Sequence, residues 1–180
     1  ESFSSALYER VLTSLDARGW EVDDCDLKAE GFSPVVTSEE RRAYHEEDVN
    51  IAAVQPYVDR LRAADALVMV FPVWNFGYPA ILKGFLDRVF LPGVSFKLVD
   101  GKVKPNLTNI RKLAAVTTYG GTRVRAFMAG DPPRRCVKRA VRHVCRPEQM
   151  RYLALYDMNR VTQAARQKFL DHVGQEMERF

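Results

Sequence analysis

Apolar and polar positions switch between two periods along this chain. Phe3, Leu7, Val11 and Leu15 recur every four residues with Ala6 beside them, which predicts an amphipathic helix over 3–18, capped by Ser2 and stopped by Gly19. Residues 20–27 alternate instead, with Trp20, Val22, Cys25 and Leu27 inward, and predict an edge strand. Residues 28–50 are polar, contain Gly31 and Pro34, and include the charged run EERRAYHEED, so they read as a surface excursion, a solvated charged loop or short helix. Val58 and Leu61 mark a short helix over 56–64. Ala66 to Phe71 is wholly apolar, as in a strand covered on both faces, and Pro72 is expected to end its ladder for want of an N–H.

Beyond that strand, Ile81, Leu82, Phe85, Leu86, Val89 and Phe90 give residues 80–90 a broad apolar helical face, opened by Pro79 and closed by Pro92-Gly93. Asp100-Gly101 between Phe96–Val99 and Lys102-Val103 predicts a hairpin. Lys112 to Thr118 is a second buried strand, running directly into Tyr119-Gly120-Gly121. A helix over 134–146, a strand over 151–158 and a closing helix over 162–180 complete the pattern. Such alternation selects an α/β fold with a doubly wound parallel sheet. Sheets of that kind open on a central strand, whereas this pattern opens on a helix, so a further strand is expected ahead of Glu1.

Composition narrows the picture modestly. At 180 residues and 47% hydrophobic content the chain reads as one domain able to bury its own core. Cys25, Cys136 and Cys145, an odd set without CxxC spacing or clustered histidines, predict neither a disulfide framework nor a metal site and suit a reducing cytoplasm. No apolar run reaches the roughly 20 residues of a membrane span. A net charge of +4 calls for no nucleic-acid partner.

Candidate chemistry gathers where strands end. Between Pro72 and Pro79 lies VWNFGY, whose aromatic faces and loop amides suit a planar heteroaromatic ligand at the carboxyl end of a strand; the same rings would also serve a dimer contact. Gly120-Gly121 alone is a weak signal, because paired glycines mark many turns; beside a ligand they let backbone N–H groups approach closely.

At FPVWNFGYPAILKGFLDRVF the chain resembles the flavodoxin-like NAD(P)H dehydrogenase (quinone) family, through the motif FPxxxFxxPAILKGxxDRVF. The likeness continues through SFSSAL, GFSPVVTSEERRAYH, PGVSFKL and TTYGG. It implies a flavodoxin-like sheet of order 2-1-3-4-5 whose first strand has no counterpart in the residues given. It also implies bound FMN or FAD, NADH or NADPH as co-substrate, a quinone-like acceptor and a homodimer. Pro72, Val73, Trp74, Asn75 and Phe76 would hold the flavin ring, and Thr117, Thr118, Tyr119, Gly120 and Gly121 its pyrimidine edge. Ser2, Phe3 and Ser4 would meet the phosphate, in agreement with the free amides and dipole of a helix amino terminus.

After the glycine pair, quinone reductases of this family carry a tyrosine and a histidine, where this chain has Thr122, Arg123, Val124 and Arg125. Arg123 or Arg125 is therefore expected to place positive charge near the reduced ring or the nucleotide phosphates, with Tyr119 as the third catalytic candidate. Residues 134–146 carry Arg134, Arg135, Lys138, Arg139, Arg142 and Arg146 and no acid. That face fits the alternative reading, an ancillary subunit of a cation-efflux system that docks through it. A one-electron flavodoxin is disfavoured, since its partner-binding surface is usually acidic.

Overall fold

A computed structural model describes residues 2–180. Strands β1 (Ala66–Val73), β4 (Lys112–Tyr119) and β5 (Gln149–Leu155) form a parallel sheet in the order β1-β4-β5. β4 is the middle strand, and Leu113 through Tyr119 are all buried, which explains its unbroken small and apolar run. On one face Leu113 and Ala115 meet Val58 and Leu61 of α3 (Gln55–Ala63) and Val89 of α4 (Ala80–Val89). On the other, Ala114 and Val116 meet Leu7, Val11 and Leu15 of α1 (Phe3–Asp16) and Val173 and Met177 of α8 (Gln163–Glu178). The hairpin pairs β2 (Phe96–Val99) with β3 (Lys102–Pro105) about Asp100 and Gly101, both at positive φ, as a two-residue turn requires.

Three expectations are corrected. Residues 20–27 form no ladder: alternation places side chains, but a strand is held by cross-strand hydrogen bonds, and no described strand pairs with this segment. It is anchored by side chains instead, Trp20 against Phe180, and Asp23 on the Arg60 guanidinium that also holds Glu30. The predicted place of that segment beside the first strand of the order therefore has no ladder behind it.

β1 also runs past Pro72, which sits in register with Thr118, to Val73 opposite Tyr119. β1 is an edge strand of the three-stranded sheet, and a proline is tolerated where its missing donor faces away from the partner.

The stretch 28–50, finally, is stapled rather than merely solvated. Phe32 is 6% exposed and packs on Tyr57 and Phe85. Pro34 presses on Gly84, where an added Cβ would lie 2.3 Å from Pro34 Cα. Thr37 and Glu40 form a capping box on α2 (Ser38–Ala43), and Arg88 of α4 donates to the Ser33 carbonyl and to Glu40 at 2.6 Å. Gly84 and Arg88 of the KGxxDR motif thus have a structural task, to seat this segment.

After β4 the chain forms α5 (Arg123–Met128), then α6 (Pro132–Arg135), a π-helical segment (Cys136–Val141) and α7 (Arg142–Cys145) in one continuous rod. No described helix is long and apolar enough to cross a membrane.

Candidate functional site

Parallel pairing brings the two candidate loops together. The register Phe71–Thr117, Pro72–Thr118 and Val73–Tyr119 makes β1 and β4 end side by side, so residues 74–78 and 119–122 leave the sheet as neighbours at its carboxyl end. Contact confirms this: a Cβ on Gly121 would meet the Phe76 ring at 3.4 Å and Arg125 Cβ at 3.8 Å.

The first loop is a tight turn. Trp74 and Gly77 exchange both backbone hydrogen bonds, at 3.1 and 2.7 Å, and the two residues between them, Asn75 and Phe76, both have positive φ, 47° and 57°. Asparagine accepts that region readily, whereas a bulky phenylalanine there is strained. The turn spends the Trp74 and Gly77 amides on each other and leaves those of Asn75 and Phe76 without an acceptor among the described residues. Trp74 stands outward at 65% exposure. Tyr78 turns inward, packing on Phe71 and donating to the Pro133 carbonyl at 2.7 Å.

The second loop rests on a buried hydroxyl network. Tyr119, 1% exposed, donates to Asp131 Oδ1 at 2.6 Å, lies 2.7 Å from the Tyr152 hydroxyl and stacks on Tyr156 with centroids 4.5 Å apart. Arg134 binds the Tyr156 hydroxyl and lies over the Tyr152 ring. Burial, then the bonds to Asp131 and Tyr152, push the Tyr119 phenol well above its ordinary value. The Tyr119 hydroxyl is thus committed inward, and what Tyr119 turns toward the rim is its main chain. Above it, the Tyr119 and Gly121 carbonyls accept from the Met158 and Asp157 amides, while the Gly120 and Gly121 amides have no acceptor among the described residues. Beneath, Thr117 Oγ1 is buried without a hydrogen-bond partner among the described residues, and Thr118 is 7% exposed on the opposite face of the sheet.

Arg123 and Arg125 are exposed at the start of α5, and neither forms an ion pair among the described residues. Only Arg125 is tied to the loops, through Gly121. Ser2 caps α1, its Oγ accepting from the Ser5 amide at 3.2 Å, and the Phe3 and Ser4 amides have no acceptor among the described residues. Trp20, just beyond α1, packs on Phe180 and under Lys112 at the amino end of β4, so α1 runs against the strands. Its amino terminus therefore lies at the same end of the sheet as the two loops.

Free amides from two neighbouring turns, a buried threonine hydroxyl lacking a partner and aromatic faces at one rim suit a planar heteroaromatic ring with acceptors along an edge. The residues present fit a flavin. Sequence reasoning missed the supports: Asp131, Tyr152, Tyr156, and Asn159, whose Nδ2 lies 3.7 Å from a Cβ built on Gly120. No motif marks them, since they converge only through β5 and the turn at Asp131.

Comparison with known proteins gives the family. NAD(P)H dehydrogenase [quinone] 1 of Rattus norvegicus is 32% identical over 138 residues, 66% of this chain and 49% of its own, so the chain spans about half of that relative. An FMN-dependent NADH:quinone oxidoreductase of Beijerinckia indica is 41% identical over 63 residues, 35% of this chain and 31% of its own. The crystal structure of Smu.1420 from Streptococcus mutans superposes with a TM-score of 0.85 at 27% identity, covering 99% of this chain and 93% of that one. Residues 1–178 match the model of the family described as flavodoxin-like fold, and the chain belongs to that family.

Proposed function

We propose that residues 1–180 form a single flavin-binding domain that transfers two electrons as hydride from NADH or NADPH to a quinone-like acceptor, working as a homodimer in the cytoplasm. The observation that carries this reading is the paired turn: Phe76 lies over Gly121, with the Asn75, Phe76, Gly120 and Gly121 amides free around one space. FMN is the flavin named for the Beijerinckia relative, and FAD remains the second candidate on the same ring contacts. When bound, the flavin supplies the hydride-accepting and hydride-releasing chemistry. Pro72 and Val73 set the direction of the first turn, Trp74 and Phe76 offer faces to the ring, Thr117 offers its unpartnered hydroxyl, and Thr118 leads the main chain into the glycine turn. Amides of Gly120 and Gly121 stabilise negative charge at the pyrimidine edge. Arg125 adds positive charge beside it, Arg123 reaches the nucleotide phosphates, and Ser2, Phe3 and Ser4 receive the flavin phosphate at the start of α1. Val124, Phe127 and Met128 of α5, 67%, 77% and 79% exposed, offer a second copy an apolar face next to Trp74.

Full-length protein incubated with FMN or FAD and desalted tests the reading. Retained flavin absorbance and menadione-dependent oxidation of NADH or NADPH are expected. Protein that retains neither flavin overturns the site assignment; retained flavin without turnover overturns the enzyme assignment.

A further inference from the structure

The two turns of the proposed flavin site differ in what closes them. The turn after β1 closes on itself, whereas no backbone hydrogen bond joins Tyr119, Gly120, Gly121 and Thr122 to one another among the described residues. Two consecutive glycines have no side chain to pack, so the direction of their amides is set by whatever grips the neighbouring main chain. That grip comes from the segment after β5. The Met158 amide donates to the Tyr119 carbonyl at 3.0 Å, and the Asp157 amide to the Gly121 carbonyl at 2.9 Å.

Each of these carbonyls shares a planar trans peptide with the next amide, Tyr119 with Gly120 and Gly121 with Thr122. C=O and N–H point opposite ways across such a peptide. A carbonyl drawn to the segment after β5 therefore turns its amide partner away from that segment. β4 lies between β5 and β1, so away from β5 is the β1 side, where Phe76 approaches Gly121. An amide whose own carbonyl already accepts a bond is also the more polarised donor.

The gripping segment is itself held still. Asp157 sits at a φ of 59°, and its carbonyl takes the Arg160 and Val161 amides at 2.8 and 3.1 Å. Arg166 of α8 donates to the Met158 carbonyl at 3.3 Å. Tyr156, one residue earlier, stacks on Tyr119, and Arg134 donates to its hydroxyl at 3.1 Å. Tyr119 in turn is pinned through Asp131 and Tyr152. An apolar ring would fill the Tyr119 position with less desolvation, so the hydroxyl contributes direction rather than bulk.

We infer that Tyr119, Tyr156 and Asp157 are positioning residues: acting through the main chain of residues 120–122, they aim its amides at the ring and so favour the reduced, more negative flavin over the oxidised one. The inference rests on the flavin reading above. Three variants test it. Asp157→Val puts a β-branched residue at positive φ, Asp157→Asn keeps a residue that accepts that region, and Tyr119→Phe removes only the hydroxyl. In flavin-free protein, hydrogen exchange at the Asp157 and Met158 amides is expected to quicken in Asp157→Val and Tyr119→Phe and to stay unchanged in Asp157→Asn. Full-length protein loaded with the flavin it retains is then read by its midpoint potential. Loss of one bond to a charged group weakens binding of the reduced flavin about tenfold, which lowers a two-electron potential by about 30 mV. That shift is expected in Asp157→Val and Tyr119→Phe, with the oxidised flavin held nearly as before, and Asp157→Asn is expected to keep the unmodified potential. Unchanged exchange, an unchanged potential, or equal weakening of both redox forms would overturn the inference and leave the flavin reading standing. An unmodified protein that retains neither FMN nor FAD would overturn both.

Discussion

Two turns at the carboxyl end of one sheet, more than forty residues apart in sequence yet meeting where Phe76 approaches Gly121, are held in opposite ways. The turn after β1 is held by its own backbone: two hydrogen bonds between Trp74 and Gly77 fix Asn75 and Phe76 at positive φ, and Trp74 points outward. The turn after β4 is held from below by Tyr119, Asp131 and Tyr152, and presents little but main chain. One region spends backbone strain to display side chains; the other buries side chains to display backbone. Changes in the first should therefore alter binding at little cost in stability, and changes in the second should cost stability first.

The sharpest way to break that contrast is Tyr119→Ala. Truncating a buried aromatic costs about 3–5 kcal/mol, and urea denaturation is expected to show it; a loss within experimental error would mean that the network does not carry the second turn. Asp131→Ala, which leaves the Tyr119 phenol without its carboxylate acceptor, is expected to cost about 1–3 kcal/mol in the same measurement.

Titration separates the regions as well. Tyr119 has its folded value pushed up by burial and by its bonds to Asp131 and Tyr152, so its contribution is complete below about pH 10, the ordinary tyrosine value, and is lost as pH rises further. The support of the first turn, α4, is tied through Arg88 to Glu40. Burial alone would raise the Glu40 carboxyl, but the Thr37 amide and Arg88 outweigh it and hold it below the usual range. That contribution is present above about pH 4.5 and is lost as pH falls through the folded value. Thermal melts are expected to show an alkaline limb that Tyr119→Phe flattens and an acid limb that Glu40→Gln flattens. Coincident effects of the two variants on one limb would refute the division.

Smaller effects fall on the first turn. Phe76→Gly removes the cost of a bulky residue at positive φ, about 1 kcal/mol, and is expected to raise the melting temperature while weakening flavin retention. Trp74→Ala, at an exposed position, is expected to change stability by less than about 0.5 kcal/mol; a tenfold weaker flavin dissociation constant without a stability change would complete the contrast.

The alternating core was legible from the chain. β1, β4, β5 and the helices around them follow from runs such as ALVMVF and KLAAVTT, because burial on both faces demands continuous apolar sequence. The loops of the candidate site were legible because aromatic and glycine residues directly follow those runs. Residues 20–27 misled, since alternation describes which side chains are covered and not whether a neighbouring strand is there to pair. Residues 28–50 misled in the other direction: Phe32, Pro34 and Glu40 are isolated in polar sequence, and their anchoring role exists only against Gly84 and Arg88. The inward turn of Tyr119 was hidden for the same reason, because its hydrogen-bond partners lie 12 and 33 residues away.

What the sequence determined by itself was local: which segments bury continuous apolar surface, which turns demand positive φ or a glycine, and that one helical rod holds the excess positive charge. Tertiary structure decided the rest. Parallel pairing of β1 with β4 joined two turns more than forty residues apart into one cradle. The packing of β5 and the Asp131 turn chose whether a tyrosine beside that cradle faces the ligand or the core, because a hydroxyl goes where burial leaves it a partner.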